Sequence, residues 1–380
     1  MPIRKSQGRA DMNRREIEEY VEELQQYESM PGMNGITRLC EKLGNPQKKL
    51  KCISITATNG KGSIQAFVSS ILKSAGYKVG SYCVPALADY RENFRINGKM
   101  ITWKALGDYL EQVKQVAEEM IMEKQEHPTT SEIETAVAFL YFAKEQCDLV
   151  VLTTQTGEVL DTDSVIQNEI DKKIASPKPV SHIKYGLQKP QFDYAEYKKI
   201  EIGLAGNYQI ENAAAAIGIS EVLMGKGYTV SETQLRRGLL ETRLAGRFQI
   251  LARKPFFIAD GAYTPEGARR LVESVQYHFC GKKAVYIIGV LRDSAYEKML
   301  EETHVYAEHI ITVTVPGHAK ALSSYELALA AKEYHGSVTV ADSLQEAVEI
   351  SYLLADKETV IIAFGSLYFM GDLIRIVEKK

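Results

Sequence analysis

Ile53-Ser54-Ile55-Thr56-Ala57-Thr58-Asn59-Gly60-Lys61-Gly62-Ser63 is the stretch on which the reading of this chain turns. A β-branched run ends in a small, glycine-bearing turn, and apolar residues then recur at helical spacing at Phe67, Val68, Ile71, Leu72 and Ala75. Strand, tight loop, Lys-Gly-Ser and helix in that order are the layout of a phosphate-binding loop. Glycine lets backbone N–H groups approach phosphate oxygens with no Cβ in the way. The helix that follows points its partial positive end at the anion. In this layout Thr58, Asn59, Gly60, Lys61, Gly62 and Ser63 form the cradle, Lys61 reaches the β- and γ-phosphates, and the Ser63 hydroxyl holds Mg²⁺. The full pattern asks for glycine where Ala57 stands. The string alone therefore leaves open a plain strand-to-helix turn with a solvated lysine.

The chain has 380 residues, enough for two or three domains, with 45% apolar and 25% charged residues, the balance of ordinary packed cores. A net charge of −3 argues against a protein built to coat nucleic acid or an anionic membrane. The five cysteines are dispersed without CxxC spacing, which reads as reduced thiols of a cytoplasmic protein. Arg4 to Arg15 is polar, so no signal peptide is expected, and no apolar run reaches membrane-spanning length.

Along the chain, spacing predicts helices at 13–28 and 35–43, the second stopped by Gly44-Asn45-Pro46. A short strand is expected at 79–84. Thr102 is placed as the N-cap of a long helix carrying Leu106, Tyr109, Leu110, Val113, Val116 and Met120 on one face. Another helix is expected at 132–146, then a buried strand at 148–153. Residues 161–200 are the least patterned. Helices at 212–224 and 231–240 lead to a hinge at 242–247. Strands at 256–260, 284–290, 309–315, 338–341 and 359–364 then alternate with helices at 265–279, 295–307, 323–335, 343–355 and 368–378, the rhythm of a doubly wound α/β sheet.

Several motifs in fixed order carry a resemblance: LGNP (43–46), TNGKGS (58–63), FRINGKMIT (94–102), NYQIENAAAA (207–216), AGRFQIL (245–251), DGAYTPEGAR (260–269), GVLRDSAYEKML (289–300) and FGSLYFMGD (364–372). From about residue 14 to its end the chain resembles the folylpolyglutamate synthase/dihydrofolate synthase family of the Mur ligase superfamily. The resemblance implies ATP-dependent joining of an acid to an amine through an acyl phosphate, which needs a nucleotide site and Mg²⁺. It implies that Lys61 and Ser63 take the phosphate and metal positions and that Asn212 meets the adenine side. It further implies that Arg247 reaches the phosphates from the hinge and that Asp260 binds the ribose. Each also has a plain alternative: Asn212 as a helix cap, Arg247 as a solvated linker charge, Asp260 as a turn residue at a strand end.

The metal and substrate half matches less well. The family's VLEVGLGGRLDATN stands here as residues 151–164, with Thr153 in place of the metal-binding glutamate and Glu158 in place of a glycine. The segment bearing the family's metal-binding histidine is missing. Lys173, five residues before Lys178, aligns with the family's carbamylated lysine and is a candidate catalytic residue beside Lys61 and Arg247, with chance alignment among neighbouring lysines as the alternative. The SPHL loop of the folate pocket is Val84-Pro85-Ala86-Leu87, and DGAHNP is DGAYTP, placing Tyr263 and Thr264 for histidine and asparagine. None of the seven histidines shows paired ligand spacing, and no cysteine stands beside a histidine–acid pair.

The expected fold is α/β: an N-terminal P-loop, Mur-ligase-type domain with a parallel-rich sheet (residues 1–244) and a smaller C-terminal doubly wound α/β domain (residues 245–380), with ATP between them. Two classes of function follow. One is an ATP-dependent amide ligase, by resemblance acting on folate and glutamate or on another acid and amino acid. The other is a nucleotide-binding homologue that no longer ligates. Expected with either are ATP, Mg²⁺ held by fewer protein ligands than in the family, small-molecule partners, no nucleic acid, no membrane, and a cytoplasmic monomer.

Overall fold

The computed structural model describes residues 12–24, 35–123, 127–153 and 178–379. The chain divides into two compact units, each discontinuous in sequence. One comprises Met1–Thr56, Ala75–Val84 and Arg91–Lys173; the other comprises Ala57–Ser74, Pro85–Tyr90 and Ile174–Lys380.

In the first unit, α1 (Arg14–Leu24) and α2 (Gly35–Lys42) precede β1 (Cys52–Ile55), which leads through the glycine loop into α3 (Lys61–Ser74) of the second unit. The first unit continues with β2 (Val79–Tyr82), β3 (Phe94–Ile96), β4 (Lys99–Met100), α4 (Trp103–Met122), α5 (Thr130–Lys144) and β5 (Leu149–Thr153). Its five strands form one sheet in the order β1-β5-β2-β3-β4, with β1, β5 and β2 parallel, β3 antiparallel to β2 and β4 antiparallel to β3. Every residue of β5 is buried, as its unbroken apolar run requires. Thr102 caps α4 as the sequence predicts, its Oγ1 accepting from the Ala105 N–H at 3.2 Å. Thr129 and Glu132 form a reciprocal capping box at the start of α5. The second oxygen of Glu132 accepts from the Ile36 N–H at 2.8 Å, which fixes where α2 begins.

The second unit holds α3, a meander of β6 (Val180–Lys184), β7 (Gln191–Tyr194) and β8 (Tyr197–Glu201), then α6 (Gln209–Gly225) and α7 (Glu232–Glu241). A six-stranded sheet follows. It is built from β9 (Gln249–Arg253), β10 (Phe256–Ala259), β11 (Lys283–Ile288), β12 (Ala307–Thr312), β13 (Val338–Val340) and β14 (Thr359–Phe364) in the order β13-β12-β11-β14-β10-β9. All neighbours are parallel except the edge strand β9. The intervening helices are α8 (Pro265–His278), α9 (Tyr296–Thr303), α10 (Ser324–Lys332), α11 (Leu344–Leu354) and α12 (Met370–Glu378). Along β11, Ala284, Tyr286 and Ile288 enter one core cluster with Leu271 and Met299, while Val285 and Ile287 enter another with Ala347 and Phe369. Alternate residues thus face helices on opposite sides of the sheet.

Three departures from the sequence reading have local causes. Residues 180–201 are a three-stranded antiparallel meander. Left-handed His182, Ala195 and Lys199 interrupt its alternation, and β6 is mostly exposed. The helix expected at 295–307 ends at Thr303, because His304–Tyr306 tighten into a 3₁₀ turn before β12 begins at Ala307. The β3–β4 hairpin turns at Asn97 and Gly98, both with positive φ, a strand pair that hydrophobic spacing did not reveal. No described helix is long and apolar enough to cross a membrane.

Helix α3 packs against α7 at Gly238, whose carbonyl accepts from the Ser70 hydroxyl at 2.7 Å. A Cβ on Gly238 would stand 2.6 Å from the backbone nitrogen of Ile71. Alanine gains up to about 1 kcal/mol of helix propensity over glycine, but backbone that must move apart costs about 1–3 kcal/mol. Gly238→Ala is therefore expected to lower the urea midpoint. Gly225→Ala, with open space around it, is expected to leave the midpoint unchanged or raise it slightly.

Candidate functional site

The glycine loop delivers Lys61 as the first residue of α3, a helix of 14 residues. Its first-turn N–H groups have no helical acceptor before them and face the loop's mouth. Gly60 sits at φ 80°, a conformation that glycine adopts freely. A Cβ there would collide with the side-chain oxygen of Asn212 from α6. Ser63 is 2% exposed within the first turn, and Lys61 is half-buried. The Asn212 amide donates to Oε1 of Gln209 at 3.0 Å, one turn earlier on α6. Gln209 is fully buried, and its Nε2 has no hydrogen-bond partner among the described residues.

Asn59 is held from the other side. The Thr264 hydroxyl donates to its Oδ1 at 2.8 Å, and its own Nδ2 donates to Glu266 at 3.4 Å. Thr264 is also the N-cap of α8, accepting from the Gly267 N–H at 3.0 Å. Arg270, one turn along α8, donates to Glu266 at 3.0 Å and to Glu211 of α6 at 2.5 Å. The loop is therefore braced between the starts of α6 and α8.

Asp260 follows β10 and is 3% exposed. Its Oδ2 accepts from the Tyr208 hydroxyl and, at 2.6 Å, from the Phe248 N–H; its Oδ1 accepts from the Ala262 N–H at 2.8 Å. Burial raises its pKa above the usual aspartate range, against the opposing pull of Arg247 and these donors. Burial and the neighbouring Asp260 also push the Tyr208 phenol well above its usual range. Arg247 is half-buried and donates to the Gly246 carbonyl at 2.9 Å. A Cβ on Gly261 would stand 2.7 Å from a guanidinium nitrogen of Arg247. Phe248 has φ 44°, strained for an aromatic residue, and is held there by the bond to Asp260.

The fold thus brings Asn59, Gly60 and Asn212 together around the start of α3, and it brings Arg247 beside Asp260. Tyr263 is 41% exposed and Thr58 is exposed. Thr153 is buried at the end of β5, in register with Ile55 of β1, the strand that leads into the loop. Glu158, Asp161 and Lys173 lie outside the described residues. Val84 and Ala86 are half-buried; Leu87 packs into the core that holds α12, and a Cβ on Gly371 would stand 2.6 Å from its backbone carbon. Among the described residues no three His, Cys, Asp or Glu side chains group as a metal site. Tyr208, Gln209 and the Thr264–Asn59 bond were not found from the sequence. Gln209 had a readable signal in its three-residue spacing from Asn212, whereas Tyr208 lies 52 positions from Asp260.

Residues 246–367 match the family described as Mur ligase, glutamate ligase domain. The chain is 26% identical over 412 aligned residues to the dihydrofolate synthase/folylpolyglutamate synthase of Bacillus subtilis (strain 168), over 90% of this chain and 94% of that relative. It superposes on the folylpolyglutamate synthase of Thermotoga maritima with a TM-score of 0.79 and 28% identity, over 95% of this chain and 96% of that one. Folylpolyglutamate synthase of Mycobacterium tuberculosis, solved with ADP and AMPPCP, superposes with a TM-score of 0.85 over 96% of this chain and 98% of that one, at 21% identity.

Two outcomes are expected of the site. Gly60→Ala forces an L residue into the left-handed region, a cost of about 1–2 kcal/mol, and displaces Asn212. A lowered melting temperature would be seen in thermal scans. Asp260→Asn replaces an acceptor-only group by one whose amide must face a donor, and is expected to cost about 1–3 kcal/mol. Because burial raises the Asp260 pKa, its contribution to stability is full below the ordinary aspartate range and is lost as pH rises through the folded value. The gap between parent and variant should therefore narrow with rising pH in denaturant titrations.

Proposed function

We propose, for a chain that belongs to the folylpolyglutamate synthase/dihydrofolate synthase family of Mur ligases, ATP-dependent joining of a carboxylic acid to an amine. The observation that carries this reading is the fit of Asn212 against Gly60 at the start of α3, in one compact unit with Arg247 and the loop after β10. Asn212 presses on Gly60 where any Cβ would strike it, which holds the loop in one shape, and the helix end beside it carries the partial positive charge that suits phosphate. Two-domain α/β Mur-ligase architecture accompanies the family, and the division at residue 244 is part of this proposal.

In this reading Thr58, Asn59, Gly60, Lys61, Gly62 and Ser63 hold the phosphates, Asn212 faces the base, and Arg247 balances phosphate charge. Asp260 and Tyr263 border the sugar side. Lys61 stabilises the charge that gathers on the γ-phosphate oxygens as the acid oxygen attacks. ATP and a divalent cation belong to the family's reaction. When bound, Mg²⁺ would neutralise phosphate charge. In this reading the Ser63 hydroxyl would hold it, and neutral Thr153 adds no charge where the resemblance implies a glutamate. Lys173 enters as the counterpart of the carbamylated lysine.

Folate and glutamate are the acid and amine that the relatives' names indicate. Val84 and Ala86 lack the hydroxyl and imidazole of the family loop, so folate is held weakly here, as sites lose affinity when polar partners vanish. The comparisons do not favour a nucleotide binder that has ceased to ligate. A cytoplasmic monomer with no nucleic-acid or membrane partner completes the proposal.

The test is release of phosphate from Mg²⁺-ATP. It should require a folate and glutamate together, show a high KM for folate, and fall at least about a hundredfold in Lys61→Ala. Bound ATP with no release dependent on acid and amine, or a Lys61→Ala enzyme as fast as its parent, would contradict the reading.

A further inference from the structure

Asp260 stands at the carboxyl end of β10, and in open α/β sheets ligands gather outside the carboxyl ends of the strands. The loop that leaves Asp260 reaches Thr264, whose hydroxyl bonds Asn59 of the phosphate loop at 2.8 Å. An acid so placed is a natural acceptor for the sugar hydroxyls of a nucleotide seated on that loop. Its acceptor capacity is nevertheless largely spent. A carboxylate offers about four lone-pair sites. Three are taken by the Tyr208 hydroxyl, the Phe248 N–H and the Ala262 N–H, and the residue is 3% exposed.

Of these three donors, two are main-chain groups that no substitution short of proline removes. Tyr208 is the one supplied by a side chain. Its ring is hemmed in: it packs against the core cluster containing Phe248, and a Cβ on Gly206 would stand 3.1 Å from its ring atoms. Rotating the phenol away from Asp260 would require that wall to open.

We infer that Tyr208 sets how the nucleotide sugar is read: its hydroxyl occupies one of the two acceptor sites that the main-chain N–H groups leave on the buried Asp260, so this chain binds ATP without discriminating against deoxyribose. The inference rests on the nucleotide site proposed above and narrows the role of Asp260 there. Asp260 is then a positioning residue, fixing Tyr208 and the main chain of Phe248 that follows Arg247, rather than a group that touches the sugar.

The experiment is equilibrium binding of Mg²⁺-ATP, 2′-deoxy-ATP and 3′-deoxy-ATP to the full chain and to Tyr208→Phe. The three dissociation constants of the parent are expected to agree within about threefold. Tyr208→Phe frees one acceptor of Asp260 and is expected to favour ATP over at least one deoxy analogue by about tenfold. A parent that prefers ATP tenfold or more over either analogue overturns the inference, as does a folded Tyr208→Phe protein with no new preference. If that variant fails to fold, the comparison within the parent decides alone. A parent that binds none of the three nucleotides refutes the nucleotide site itself and this inference with it, a result distinct from tight but discriminating binding.

Discussion

Asn212 can press against the glycine loop only because residue 60 has no Cβ. That single close approach fixes much else. Gln209 holds the Asn212 amide from one turn earlier, Thr264 and Glu266 hold Asn59 from the start of α8, and Arg270 ties Glu266 to Glu211 on α6. The loop's shape is thus set by side chains from two other helices rather than by its own sequence. A cradle fixed before its ligand arrives spends less on ordering when the anion binds, and this is the sense in which such sites are preorganised.

A second constraint lies at Asp260. A carboxylate taken out of water is unfavourable unless donors replace the lost solvent, and here three donors and the charge of Arg247 offset part of that cost while burial still raises the Asp260 pKa. One of them, the Phe248 N–H, belongs to a residue in left-handed backbone that costs about 1–3 kcal/mol. A hydrogen bond to a charged acceptor contributes about 1.5–3 kcal/mol, of the size needed to offset it. The strained residue directly follows Arg247, so the buried acid, through main chain, settles where that guanidinium starts from.

Local signals in the sequence were enough to place the loop, the start of α3, the Thr102 cap and the strand–helix rhythm after residue 256. Each depends on residues within a turn or a strand of one another. Five strands of the six-stranded sheet were legible because most are apolar on both faces and the helices between them bear clear caps, such as Thr264 and Ser323, whereas the half-exposed edge strand β9 was not read. The β6–β8 meander was not, since its strands are short and lysine-bearing, and non-glycine residues with positive φ break their period. The β3–β4 hairpin carried a readable Asn97-Gly98 turn. In the site, Asn59, Gly60 and Asn212 were named from sequence, but what binds them was hidden. The Asn59–Thr264 bond spans 205 positions and the Tyr208–Asp260 bond 52, separations at which no periodicity speaks.

The most direct measurement of the account is a crystal structure of the full chain with Mg²⁺ and a non-hydrolysable ATP analogue. The β- and γ-phosphates are expected at the N-terminus of α3, within hydrogen-bonding distance of the Gly60–Ser63 backbone and the Lys61 ammonium, with Asn212 still against Gly60. Phosphates bound elsewhere, or a loop that abandons Asn212 to receive them, would contradict it.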